Sequence, residues 1–297
     1  MTSWPTCAAA RPEDKGWAMS GAFDLSQLGA TLHAPPYRVT SDAMVAYARA
    51  TNDENFAHLD GTVAPPLFAV VPALKTMAAA KRLVTGLFTL HGSHDILVAA
   101  PITPGMTVTV TAQVVGILPT PAGATIVVRG ETHDDRGTLL NVQHLVVLAQ
   151  GYVIGERLGV PAPDHRTQDG ITDRPPDAEA LQPLDPYQTR RYAEASGDRE
   201  AYTFDEDAAR AKGLAGPIVH GLCTMAFVSR LVVAHGCGGD SRKLRRLAVR
   251  FTRPLIMQPG QIVTSRLWQL PEPGRFAATC LDRAGTEVLR HGLAEIA

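Results

Sequence analysis

The chain has 297 residues, with 28 Lys and Arg against 29 Asp and Glu, and it is 45% hydrophobic and 19% charged. That composition is globular and far from the disordered range, and a net charge of −1 supplies no general pull toward nucleic acid or an anionic membrane. At about 150 residues per domain the length fits two domains or one large one. The four cysteines, Cys7, Cys223, Cys237 and Cys280, show no paired close spacing, which argues against a disulfide framework or a structural zinc site. Every apolar stretch is broken before the roughly 18 residues of a membrane span, and no signal peptide pattern opens the chain. The reading is a soluble, cytoplasmic protein with no membrane or nucleic-acid partner.

In chain order, residues 1–20 read as a flexible leader. Tyr47–Asp60 (YARATNDENFAHLD) predicts a short helix running into an acidic loop, and Pro65–Val71 (PPLFAVV) opens a longer apolar helix. The segments TVTVTAQVVGIL, ATIVVRGE and LLNVQHLVVL follow. They alternate apolar with polar and are rich in Val, Ile and Thr, which predicts antiparallel strands with one wet face. Residues 161–183, rich in Pro and Asp, read as a linker. The pattern then repeats. Tyr192–Asp205 (YAEASGDREAYTFD) matches Tyr47–Asp60 at five of fourteen positions with an offset of 145. His220–Ala226 faces Pro65–Val71, and Pro259-Gly260 faces Pro104-Gly105, both at an offset of 155. His220–Ala234 is apolar on every face, so that helix should be buried, and QIVTSRLWQL reads as another strand. The expected fold is α+β: two tandem antiparallel sheets, each wrapping a central helix, in halves spanning 21–160 and 184–297.

The repeat and its motifs resemble the MaoC-like (R)-specific enoyl-thioester hydratases and dehydratases, which are double hot-dogs. The residues that carry the resemblance in half two are Gly197-Asp198, then Gly216-Pro217-Ile218-Val219-His220-Gly221-Leu222, then Arg250-Phe251-Thr252-Arg253-Pro254. In half one they are Asp53-Glu54-Asn55-Phe56-Ala57-His58, Ala64-Pro65-Pro66-Leu67-Phe68 and Leu90-His91-Gly92. The resemblance implies reversible hydration of 2-enoyl thioesters, or dehydration of 3-hydroxyacyl thioesters, on coenzyme A or an acyl carrier protein, with no metal or other cofactor. It implies that an Asp and a His move protons on one water, that an Asn orients this water, and that the Gly of the His-Gly pair offers its N–H to the thioester carbonyl.

Each half departs from that pattern. Half two keeps Asp198, His220 and Gly221, but Glu200 holds the Asn position, Ala201 the Pro position and Thr203 the catalytic His position. Half one keeps Asp53, Asn55 and His58, with Asn52 for the Gly and Phe56 for the Pro. Its helix start aligns Pro65-Pro66 with His220-Gly221, and proline has no N–H to give. Three readings follow. Catalysis resides in half one on Asp53, Asn55 and His58. Alternatively, Asp198 and Glu200 in half two form a carboxylate pair with one raised pKa, aided by His220. In the third, the scaffold serves as a thioester binder, an isomerase or a cyclase; a thioesterase is a competing enzyme class on the same fold.

Simpler roles stand beside these. Asp53 and Asp198 can be turn caps, His58 a packing histidine, and His220 structural. Cys223 reads as a small apolar core residue. His91, His94 and Asp95 share no face that would hold a metal. The run Arg242-Lys243-Leu244-Arg245-Arg246 reads as a solvated loop, or as a contact for the phosphates of coenzyme A or an acidic carrier; Arg245 and Arg246, with His220 and Thr203, are the candidate substrate-binding residues. Homodimerisation is left open.

Overall fold

The computed structural model describes residues 25, 28–80, 89–167 and 170–297. The expected leader and Cys7 lie outside these residues. Half one contains β1 (Thr31–His33), β2 (Tyr37–Arg38), α1 (Ser41–Ala50), α2 (Phe56–Leu59), α3 (Val70–Ala80), β3 (Thr89–Val98), β4 (Thr107–Thr120), β5 (Gly123–Asp134), β6 (Leu139–Gln150) and β7 (Leu158–Gly159). Half two follows with β8 (Ala178–Pro183), α4 (Gln188–Ser196), α5 (Glu206–Ala211), α6 (Gly221–Leu231), β9 (Leu244–Phe251), β10 (Ile262–Gln269), β11 (Arg275–Leu281) and β12 (Glu287–Ile296). The last six residues of the stretch read as a linker are thus a strand, paired antiparallel with β10. Their alternation, AEALQP, offers too little apolar content to announce it.

The expected double hot-dog is the observed architecture. One continuous sheet runs β1-β4-β5-β6-β3-β9-β12-β11-β10-β8, and the two halves meet where β3 pairs antiparallel with β9, Ser93 opposite Arg250 through Leu97 opposite Arg246. The helix α3 lies on β4 and β5, and α6 lies on the strands of half two. Side chains that point inward from both sheets, such as Ile96, Leu140, Leu247 and Leu267, share one core with Phe68 of half one and Met225 of half two. The run read as a buried helix is buried: Leu222 through Ser229 lie almost wholly out of solvent.

The repeat is also a pseudo-twofold contact. α1 packs on α4, and the repeat-equivalent Tyr47 and Tyr192 are fully buried against each other, ring centroids 5.9 Å apart. Each helix ends on a residue in the left-handed region: Gly197 at φ 79° after α4, and Asn52 at φ 52° after α1. Asparagine is among the few side chains that enter this region readily, so it closes the turn where the repeat otherwise uses glycine. Having a side chain, Asn52 also bridges the halves, its Nδ2 donating to Gln188 Oε1 at 2.9 Å while Gln188 Nε2 donates to Ala50 O at 2.7 Å.

A buried ion pair crosses the junction. Arg246 on β9 donates to Asp95 on β3 at 2.7 Å, with side chains only 12% and 3% exposed, and also reaches Asp164 O at 3.1 Å. The basic run is therefore divided by strand alternation rather than uniformly solvated. Arg246 is committed to this junction, whereas Arg245 is exposed and gives its guanidinium to the carbonyls of Arg242 and Leu244. Removing the carboxylate in Asp95→Ala leaves the buried guanidinium only the Asp164 carbonyl and Glu295 at 3.9 Å, and the expected cost is about 1–3 kcal/mol in a denaturant-midpoint measurement. Arg242→Ala, whose pair with Asp240 is solvent-exposed, is expected to cost under about 0.5 kcal/mol in the same assay.

Across β3 and β6, His94 Nε2 meets Gln143 Oε1 at 3.2 Å, and burial pushes the His94 imidazole down to about 4. Burial also lowers His144 and His220. The unfolded chain takes up these protons near the usual histidine value, while the folded chain resists them. Stability is therefore full at neutral pH and falls as the pH drops from about 6.5 toward about 4. Chemical denaturation across this range is expected to show that slope, and His94→Gln, which keeps a donor for Gln143, is expected to flatten it.

Candidate active site

The loop from Asp53 to His58 folds on its own polar atoms. Asp53 Oδ1 accepts the Asn55 N–H at 3.0 Å, a turn in which the side chain stands in for backbone, and Asn55 Oδ1 caps α2 through the Ala57 N–H at 3.0 Å. The turn-capping role considered for Asp53 is therefore real, but it occupies one carboxylate oxygen. The other, Oδ2, lies 2.7 Å from His58 Nδ1. Both side chains are buried, His58 at 1% exposure and Asp53 at 8%.

The second ring nitrogen is met by the opposite half. His58 Nε2 lies 2.9 Å from Ser241 Oγ, on the loop between α6 and β9. With an ionised Asp53 accepting from Nδ1–H, Nε2 carries the lone pair and the serine hydroxyl donates to it. The loop that delivers Ser241 leaves α6 through a π-helical turn, Val232–Gly236, and passes Gly238 and Gly239 in left-handed conformations. Asn55 holds this loop in place, its Nδ2 donating to Gly239 O at 2.7 Å. Asn55 thus ties its own loop to the half-two loop through its oxygen and one amide hydrogen, and its second amide hydrogen has no partner in these bonds.

Two clefts flank Pro65-Pro66, which line both. One is lined by Asp53, Tyr47 and Thr51 together with Ala226 and Arg230 of α6. The other is lined by Ser241 and Arg242, by Val63, Ala69, Ile102 and Leu140, and by Asn141. Ser241 and Asn141 are the residues that the sequence did not reveal. Ser241 sits in a commonplace GDSRK run 183 residues from His58, and Asn141 lies inside a strand pattern; only the tertiary fold gives either a role.

The half-two candidates are arranged differently. Thr203 is buried and donates its hydroxyl to Glu200 O at 2.7 Å, which makes it a local turn-maker. Glu200 is exposed, and its carboxylate makes no hydrogen bond to that of Asp198. His220 precedes α6, with Nε2 3.0 Å from Asp198 O and its ring centroid 4.9 Å from that of Tyr192 at 45°. Gly221 starts α6 beneath the Phe251 ring, where an added Cβ would lie 3.0 Å from Cε1. Burial raises the thiols of Cys223 and Cys280 to about 12, so neither is a nucleophile near neutral pH. Among the described residues no cluster of three His, Cys, Asp or Glu could hold a metal, and no helix is long and apolar enough to cross a membrane.

Comparison with known proteins bears on this arrangement. The family model described as MaoC like domain matches residues 167–277, a span that holds Gly221 and lies wholly downstream of Asp53 and His58. Over 273 residues the chain is 32% identical to 3-hydroxyacyl-thioester dehydratase Y of Mycobacterium tuberculosis, covering 86% of this chain and 90% of that protein. It is 32% identical over 124 residues to a probable enoyl-CoA hydratase 2 of Dictyostelium discoideum, covering 42% of each. The structure of a MaoC-like dehydratase from Phytophthora capsici superposes with a TM-score of 0.79 at 23% identity, over 92% of this chain and 97% of that one. The chain is a member of the MaoC-like family of hydratases and dehydratases.

Proposed function

We propose that this enzyme adds water reversibly to a 2-enoyl thioester of coenzyme A or an acyl carrier protein, and that the chemistry takes place in half one. The observation that carries the reading is the hydrogen-bonded file Asp53–His58–Ser241, at 2.7 and 2.9 Å, beside a cleft with apolar walls. The substrate class is supported by the relatives, whose names give a 3-hydroxyacyl-thioester dehydratase and a probable enoyl-CoA hydratase.

In this mechanism Asp53 fixes the imidazole tautomer and favours the charged ring when it forms. Nε2 does not face the cleft directly, so Ser241 relays the proton. A water in the cleft gives a proton to Ser241 Oγ while Ser241 passes its own to His58. The water oxygen bonds to C3, and the electron pair of the double bond moves toward the thioester carbonyl. The imidazolium then returns the proton by the same path to C2, so no proton is gained or lost overall. Dehydration runs the steps backward.

Loss of enoyl absorbance with a short trans-2-enoyl-CoA measures the reaction. His58→Ala and Asp53→Asn are expected to lower kcat by roughly 10²–10⁴, while Asp198→Ala stays within about threefold of wild type. Loss of activity in Asp198→Ala with survival of His58→Ala would place the chemistry in half two.

The same file favours a second reading. A serine hydroxyl on an Asp-backed histidine is also the arrangement of acyl transfer, in which Ser241 would attack the thioester carbonyl, release the thiol and yield an acyl-enzyme for hydrolysis. Ser241→Ala separates the two. As a relay, Ser241 is replaceable by water and its loss is expected to cost about tenfold; as a nucleophile, its loss abolishes thiol release.

A further inference from the structure

Asn141 is the third residue of β6 and is 2% exposed, yet its Nδ2 has no hydrogen-bond partner. Its orientation is fixed by its neighbours. Gln143 Nε2 donates to Ala69 O at 2.9 Å, which only the amide nitrogen of that side chain can do, and the same Nε2 donates to Asn141 Oδ1 at 2.9 Å. The Thr132 hydroxyl gives Oδ1 a second bond at 3.2 Å. The oxygen of Asn141 is therefore saturated, and its two N–H donors are left without an acceptor, a state that costs a buried amide about 1–3 kcal/mol.

The residue that carries this orphaned donor lines the same cleft as Ser241, Pro65 and Pro66, with Nδ2 buried just behind the wall. Pro66 holds the half-one position that Gly221 holds in half two, at the entry to the central helix. Neither proline can offer a backbone N–H. Half one thus lacks a donor at the place where a thioester carbonyl would need one, and carries an unused side-chain donor in that cleft. We infer that Asn141 Nδ2 is the hydrogen-bond donor to the thioester carbonyl oxygen, in place of a helix-start N–H. The inference rests on the half-one reading above. As the C3–O bond forms, negative charge grows on that oxygen, and a prealigned amide strengthens its bond to the enolate more than to the ground-state ester. The apolar walls at Val63, Ala69 and Leu140 suit an acyl chain rather than a charged one.

The test uses 4-dimethylaminocinnamoyl-CoA, an enoyl thioester whose absorption moves to the red when its carbonyl accepts a strong hydrogen bond. It is recorded first on full-length His58→Ala protein, which binds without turnover. A red shift on binding is expected there, and its loss is expected in His58→Ala/Asn141→Asp and His58→Ala/Asn141→Leu. In the otherwise wild-type chain, either Asn141 substitution is expected to lower kcat on trans-2-enoyl-CoA about 10²–10³-fold with KM within about threefold. Binding to His58→Ala without a red shift overturns the inference with no Asn141 variant required. So does a shift and a kcat that survive in either variant. Activity that survives His58→Ala instead overturns the half-one reading, and this inference with it.

Discussion

His58 is buried with both ring nitrogens committed, one to a carboxylate of its own loop and the other to a hydroxyl from the opposite half of the chain. An imidazole out of solvent is tolerable only if its polar atoms are met, so the site exists only while the halves are docked. The docking is correspondingly heavily built. β3 and β9 fuse the two sheets, Arg246 and Asp95 neutralise each other across the seam, and Asn52 and Asn55 each reach over to the other half. The Asp53–His58 loop is therefore not a self-contained motif. Its second partner arrives from a loop whose path depends on a π-helical turn and two left-handed glycines at the end of α6.

The two halves show how a duplicated scaffold diverges by single positions. Where half two has Gly197, half one has Asn52, the same backbone with an added side chain that ties the halves together. Where half one has His58, half two has Thr203, which turns inward and bonds its own loop. Where half two has Gly221, half one has Pro66, which removes the donor from the helix start. The buried Asp–His pair and the helix-start N–H thus lie in different halves, and Asn141 stands in the wall of the cleft beside Pro66.

Much of the fold was legible because the determinants are local. The Asp–x–Asn–x–x–His spacing, the buried helix at Gly221 and the strand alternation each lie within a dozen or so residues, and the repeat is read by setting two such short segments side by side. What the sequence did not show are contacts the chain makes with itself at long range. Asn55 reaches Gly239, 184 residues away. Arg245 and Arg246 look alike in sequence, yet strand alternation sends one to solvent and the other into an ion pair with a residue 151 positions distant. Ser241 and Asn141 carry no motif, and they acquire meaning only from what is, or is not, bonded to them in the folded state.

The central claim is that one site, in half one and completed by half two, holds the reacting thioester. It is tested most directly by a crystal structure of His58→Ala protein with bound 3-hydroxyacyl-CoA. The account predicts the acyl thioester in the cleft beside Pro66, with C3 facing Ser241 and the carbonyl oxygen within hydrogen-bond distance of Asn141 Nδ2. A thioester carbonyl found instead on the Gly221 N–H, with Asp198 beside C3, would contradict it.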